Sequence, residues 1–226
     1  MTELISYTVP CHKRETDLRR TLPSVIVAAN AAPPVEIVIV DYGHPTPLTS
    51  VVWDHLGQCG AQVSMRVVRS EQLYFHMAHA RNIGLRAALG RYVVLFLADQ
   101  LLGPGFFPYV RERLRDRVDA LLYWQETFAG HTDAIRAVGG FDERFEFYGP
   151  EGKELLDRWR RNGGVVEAFP RRRLIDQYPT PDVEKVRHYR EPLSKCAMHA
   201  RGMAIWQDNQ ARGVRIANEG QAWGHA

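Results

Sequence analysis

Acids stand at three places in this 226-residue chain where a carboxylate has chemistry to do. Asp99 follows the apolar run Tyr92-Val93-Val94-Leu95-Phe96-Leu97, and Asp41 closes Val35-Glu36-Ile37-Val38-Ile39-Val40. Glu151 and Glu154 open an amphipathic stretch just past Gly149-Pro150. Ligands of open α/β sheets bind beyond the carboxyl ends of the strands, so Asp99 is expected to face a crevice rather than the core. Each acid also has a plain structural reading. Asp41 can cap the turn that follows it. Glu151 suits the positive first turn of a helix, and Glu154 can pair with Arg158 one turn on.

The elements that must position these acids follow from hydrophobic period. Apolar runs at 4–9, 35–40, 62–68 and 92–97 read as strands, and amphipathic stretches around Leu18 to Ala29, at 48–56 and at 76–89 read as helices. Strands alternating with helices of this length imply βαβ units and a mainly parallel, doubly wound sheet. The first strand is not followed by Gly-x-Gly-x-x-Gly, which argues against a dinucleotide dehydrogenase. Further on, helices are expected at 105–115, 133–138, 151–162 and 193–212, and strands at 120–124 and 165–169. Gly163-Gly164 supplies a natural helix stop. Arg171-Arg172-Arg173 is a charge run expected on a solvated loop.

Composition bounds the rest. With 45% hydrophobic and 24% charged residues, the chain is expected to be one α/β domain over 1–226. Within it, 1–100 reads as a doubly wound nucleotide-binding layer and 101–226 as a less regular second half. A net charge of +3 gives no footing for nucleic acid as partner. Cys11, Cys59 and Cys196 are odd in number and lack metal spacing, so neither a disulfide framework nor a zinc site is expected. No signal-like start and no apolar run near ~18 residues appear, which predicts a cytoplasmic protein without an integral membrane segment.

Four segments in order resemble the GT-A-fold nucleotide-diphospho-sugar glycosyltransferases, family-2-like group. They are Val9-Pro10-Cys11-His12-Lys13-Arg14, Val38-Ile39-Val40-Asp41-Tyr42-Gly43, Ala80-Arg81-Asn82-Ile83-Gly84 running through Gly90-Arg91-Tyr92 to Asp99, and Gly139-Gly140-Phe141-Asp142-Glu143-Arg144-Phe145 with Gly149-Pro150-Glu151-Gly152. The resemblance covers roughly the first 165 residues. It implies a GT-A fold, a Rossmann-like nucleotide half and an acceptor-binding C-terminal half.

It also implies roles. Pro10, Arg14, Asp41, Arg81 and Asp99 would bind the nucleotide sugar, with Asp41 accepting from a uracil imide and Arg81 meeting base or phosphate. Asp99 matches the last acid of the family's Asp-x-Asp, while Leu97 replaces the first. A divalent cation (Mn or Mg) held by Asp99 and His188 is therefore expected, with His199 the other histidine candidate. The family's general base is the second residue of a Glu-Asp pair, and here that position is Gly152. Glu151, then Glu154, are the catalytic candidates left. Trp124 and Tyr148 are the aromatics expected to meet acceptor, and His131 is a candidate contact to the donor.

The activity implied is transfer of a hexosyl or N-acetylhexosaminyl group from a nucleotide-diphosphate donor, UDP-linked by preference, to a hydroxyl or amine acceptor with inversion. Two alternatives stay open: a catalytically weak nucleotide-sugar binding module, and a retaining transferase of the same fold.

Overall fold

The computed structural model describes residues 2–170 and 174–226, so the Arg171-Arg172-Arg173 run lies outside the described residues. Strands β1 (Ile5–Cys11), β2 (Val35–Tyr42), β3 (Val63–Ser70) and β4 (Tyr92–Leu95) alternate with helices α1 (Glu15–Asn30), α2 (Thr49–Leu56) and α3 (Met77–Ala87). After them come β5 (Gln100–Leu102), α4 (Phe106–Leu114), β6 (Ala120–Trp124), β7 (Thr127–His131), α5 (Thr132–Ala137), α6 (Glu151–Arg161) and β8 (Val165–Ala168). The chain finishes with β9 (Ile175–Gln177), α7 (Asp182–Val186) and α8 (Lys195–Ala211), the last capped by the Ser194 hydroxyl. Strands β5, β7 and β9 and helix α7 go beyond what the sequence reading placed.

A seven-stranded sheet runs in the order β3-β2-β1-β4-β7-β6-β8, with β7 antiparallel to both its neighbours and every other pairing parallel. Helices cover both faces, which is why β1 and β2 are buried along their whole length and read as nearly continuous apolar runs. The pleat divides β4 between the layers. Tyr92 and Val94 join the core under α1 and α4, whereas Val93 and Leu95 join the one under α3, α5 and α6. A second small sheet pairs β5 with β9 antiparallel and returns residues 175–180 to the end of β4.

The segment around Arg81 is a packing device. Gly84 lets α3 lie against β1: a Cβ there would sit 2.9 Å from Thr8 Cβ. Next to it, Asn82 clamps the glycine-rich loop after α5, accepting from Phe141 N–H at 2.8 Å and donating to Phe141 C=O at 2.8 Å. Gly140 permits that clamp by adopting φ +62°, where a Cβ would come 2.5 Å from Asn82 Oδ1. Among the described residues no helix is long and apolar enough to cross a membrane.

Candidate active site

A cavity of about 590 Å³ opens at the carboxyl ends of β1, β4 and β6, where the sheet geometry puts a crevice. Its wall takes Pro10 from the end of β1, His12 and Arg14 from the loop after it, and Leu97 and Asp99 from the segment just past β4. Trp124, Gln125 and Glu126 come from the β6–β7 turn, and Tyr148 and Glu151 from the approach to α6. Residues 176–180 and the Lys185, His188 and Tyr189 stretch close the remaining side.

At one end Arg14 and Lys185 stand among Asp99, Asp176 and Glu184, beside a set of rings. Arg14 donates to Thr180 Oγ1 at 2.9 Å and stands 3.6 Å from Asp99 Oδ2. His12 stacks on Phe75 (5.7 Å between ring centroids, 17° between planes) and meets His188 edge-on at 5.5 Å. The His12 Nδ1 contacts the Tyr42 carbonyl, while Nε2 is buried without a partner among the described residues. Burial outweighs that carbonyl contact and holds the imidazole below its ordinary pKa.

At the other end two carboxylates share one guanidinium. Arg81, wholly buried, donates from Nη1 to Glu126 Oε2 at 3.0 Å and from Nη2 to the Glu126 carbonyl at 2.8 Å. The same Nη1 lies 3.7 Å from Glu151 Oε1, and the guanidinium sits 4.9 Å from the centroid of the Phe141 ring. Glu151 is 5% exposed and its Oε2 has no partner among the described residues. Burial, reinforced by the Glu126 charge and opposed by Arg81, pushes its carboxyl up to about 8.

Several expected residues are committed elsewhere. Asp41 is fully buried and absent from the cavity wall: Oδ2 accepts from Arg69 at 2.7 Å and from Leu48 N–H at 3.1 Å, and Oδ1 accepts from His44 N–H at 3.1 Å. The turn-capping reading describes it. Arg81 does not reach the wall either, because it is spent holding Glu126 and Glu151. Glu154 is a correction. It is 0% exposed, bound by Arg158 through Nε at 3.0 Å and Nη2 at 2.8 Å, and further bound by Asn209. It does not line the cavity. His131 is likewise buried in β7, with Nε2 on the Leu114 carbonyl at 2.7 Å.

The expected cation site fits poorly. Asp99 and His188 share the cavity, but no group of three His, Cys, Asp or Glu that could hold a metal exists among the described residues. Asp99 already accepts from Thr180 Oγ1 at 2.8 Å and Gln177 Nε2 at 3.2 Å, with Arg14 as its near cation. His188 faces Lys13, Arg187 and Arg14, and burial with those charges holds its pKa down. A hard divalent ion prefers several oxygen ligands, and one engaged carboxylate supplies few.

The sequence profile of glycosyl transferase family 2 matches residues 6–178. The chain belongs to that family. Among solved structures, this family 2 chain resembles the mannosyltransferase PcManGT from Pyrobaculum calidifontis in complex with GDP-Man and Mn2+, with a TM-score of 0.66 at 17% identity. That match covers 80% of this chain and 58% of that one. It also resembles S. aureus TarS 1–349 in complex with UDP-GlcNAc, with a TM-score of 0.61 at 12% identity over 93% of this chain and 73% of that one. The TarS 1–349 complex with UDP scores 0.62 at 14% identity over 94% and 72%. No curated protein matches by sequence. The family 2 chain therefore has the GT-A fold, with its mainly parallel sheet and flanking helices.

The sequence reading missed Glu126, His12 as a wall residue, and the Gln177 and Thr180 contacts on Asp99. Each lies in a turn or loop without periodicity. The only local sign was the isolated acid of Trp124-Gln125-Glu126-Thr127 between two β-prone runs.

Proposed function

We propose that this family 2 glycosyltransferase moves a hexosyl or N-acetylhexosaminyl group from a UDP-linked donor to a hydroxyl or amine acceptor with inversion. The observation that carries the reading is one cavity with two chemically different ends. At one end Arg14 and Lys185 supply donors among Asp99, Asp176 and Glu184, with His12 and Phe75 as a stacked ring pair, whereas at the other Glu126 and Glu151 gather beside Trp124 and Tyr148. Cations suit a leaving diphosphate; aromatic faces and a proton acceptor suit a sugar-like nucleophile.

In this reading residues 1–100 contribute Pro10, Arg14 and Asp99 to the donor side, and residues 101–226 contribute Trp124, Tyr148 and Glu151 to the acceptor side. The acceptor oxygen attacks the anomeric carbon as the bond to the diphosphate breaks. Its proton passes to the pair of carboxylates, Glu126 and Glu151, that share Arg81 on the acceptor side. Arg14 steadies the departing charge, and Asp99 with Thr180 holds Arg14 in place. No step is routed through a metal, since the donor set fits one poorly. The PcManGT complex with GDP-Man and Mn2+ and the TarS complexes support a nucleotide-sugar donor in general.

The test is calorimetric titration with UDP, GDP, TDP and CMP, followed by release of UDP from UDP-glucose and UDP-GlcNAc. UDP should bind best and a donor should turn over. Binding without any turnover, over a panel of sugar acceptors, would favour the binding-module alternative.

A further inference from the structure

We propose that Glu126 and Glu151 form one proton-holding dyad over Arg81, and that Glu126 is the member that receives the acceptor proton. This rests on the transferase reading and names the group that performs its proton step.

The geometry begins at Gly152. A Cβ built there would lie 2.7 Å from Glu126 Oε2 and 2.7 Å from Phe128 Cζ. A carboxylate from the β6–β7 turn thus occupies the space that a side chain at 152 would need. The turn that delivers it is tight. Trp124 pairs with Thr127, leaving two residues between the strands, and Gln125 takes a left-handed φ of +46° that side chains seldom adopt.

Charge decides how the two acids behave. Arg81 Nη1 reaches Glu126 at 3.0 Å and Glu151 at 3.7 Å, so one buried guanidinium faces two carboxylates. One cation balances one of them, and the pair keeps a proton. Burial assigns that proton to Glu151, whose side chain is 6% exposed, and Glu126, 36% exposed, is the carboxylate open to the cavity. The other titratable groups around Glu151 are the phenols of Tyr123, Tyr148 and Tyr189, all with raised pKa and therefore neutral.

The step balances. A lone pair of the acceptor oxygen forms the new bond to the anomeric carbon, and the bond from that carbon to the diphosphate oxygen breaks with its electrons leaving on the diphosphate. The hydroxyl proton moves to Glu126. Both acids are then neutral beside Arg81, and Glu126 returns its proton to water through its exposed edge.

The experiment titrates the protein labelled with 13C at the glutamate carboxyls, and follows UDP release from UDP-glucose and UDP-GlcNAc with water as acceptor. E126Q removes one charge, so the Glu151 midpoint should fall by about one pH unit or more as Arg81 turns to it alone. Turnover should drop by about 100-fold while UDP affinity measured by calorimetry is retained. E126D keeps the charge, so it should preserve the raised Glu151 midpoint even if E126Q folds poorly. An unmoved Glu151 midpoint in E126Q, a midpoint that falls as far in E126D, or E126Q turnover close to that of the unaltered protein overturns the dyad. Absence of donor turnover in the unaltered protein tells against the transferase reading instead, and the titration alone then decides whether the two acids are coupled.

Discussion

Glu154 and Arg158 face each other one helical turn apart with neither side chain exposed, and Arg158 also donates to the Gly140 carbonyl at 2.8 Å. The pair ties α6 to the glycine-rich loop and leaves no oxygen for substrate. Removing one partner of a buried ion pair strands the other, at about 3–5 kcal/mol. Glu154→Gln should therefore lower unfolding free energy on that scale in urea titrations. The turnover of the remaining folded protein should be unchanged, and a loss of turnover at full stability would return Glu154 to the reaction.

Glu151 makes stability depend on pH in a definite direction. Its folded-state pKa lies at about 8, above the ordinary 4.5, so the folded protein holds the proton more tightly than the unfolded chain. The associated stability is complete below the ordinary value and is lost as pH rises through the folded one. Each pH unit across that interval is worth about 1.4 kcal/mol. Glu151→Gln, a neutral isostere, should match the parent melting temperature near pH 4.5 and exceed it increasingly up to pH 9. Equal melting curves across the range would show that Glu151 ionises without penalty.

Asp41 satisfies two backbone N–H groups and the Arg69 guanidinium. Asp41→Ala should cost about 1–3 kcal/mol of stability, since each buried partner left unsatisfied is expensive. UDP affinity should change little. A selective loss of UDP binding in a protein of normal stability would instead restore the uracil contact.

Arg14 offers its guanidinium on the cavity wall. Arg14→Ala should weaken UDP binding by about 1.5–3 kcal/mol, the range for a hydrogen bond to a charged group. Uridine, which carries no phosphate, should bind both proteins alike. Calorimetry with the two ligands separates a phosphate contact from a general disturbance of the loop.

Asp99 is the one carboxylate at the expected cation position, and Gln177, Thr180 and Arg14 already surround it. UDP affinity in excess chelator should lie close to that in manganese. A gain of about tenfold or more on adding manganese, equivalent to about 1.4 kcal/mol, would show a cation bridging nucleotide and protein.

The alternation of strands and helices through β4 was legible in the sequence, because period and run length are local properties that burial on both faces of a parallel sheet writes directly into residue type. Pro10, Arg14, Asp99, Trp124, Tyr148 and Glu151, picked out through the family resemblance, all line one cavity, the first four because the ends of β1, β4 and β6 share an edge. Which acids face the cavity was decided only by tertiary structure. Glu151 and Glu154 are three residues apart on one helix, yet the first meets the cavity and the second is enclosed by Arg158 and Asn209. Asp41 and Arg81 carry the residue types of a nucleotide site but are claimed by Arg69 and by Glu126, which lie 28 and 45 residues away. Glu126 itself had no pattern to announce it. Its place depends on a two-residue turn, on a glycine at 152 that leaves room, and on an arginine from another helix, and such long-range pairings leave no period in a chain read one residue at a time.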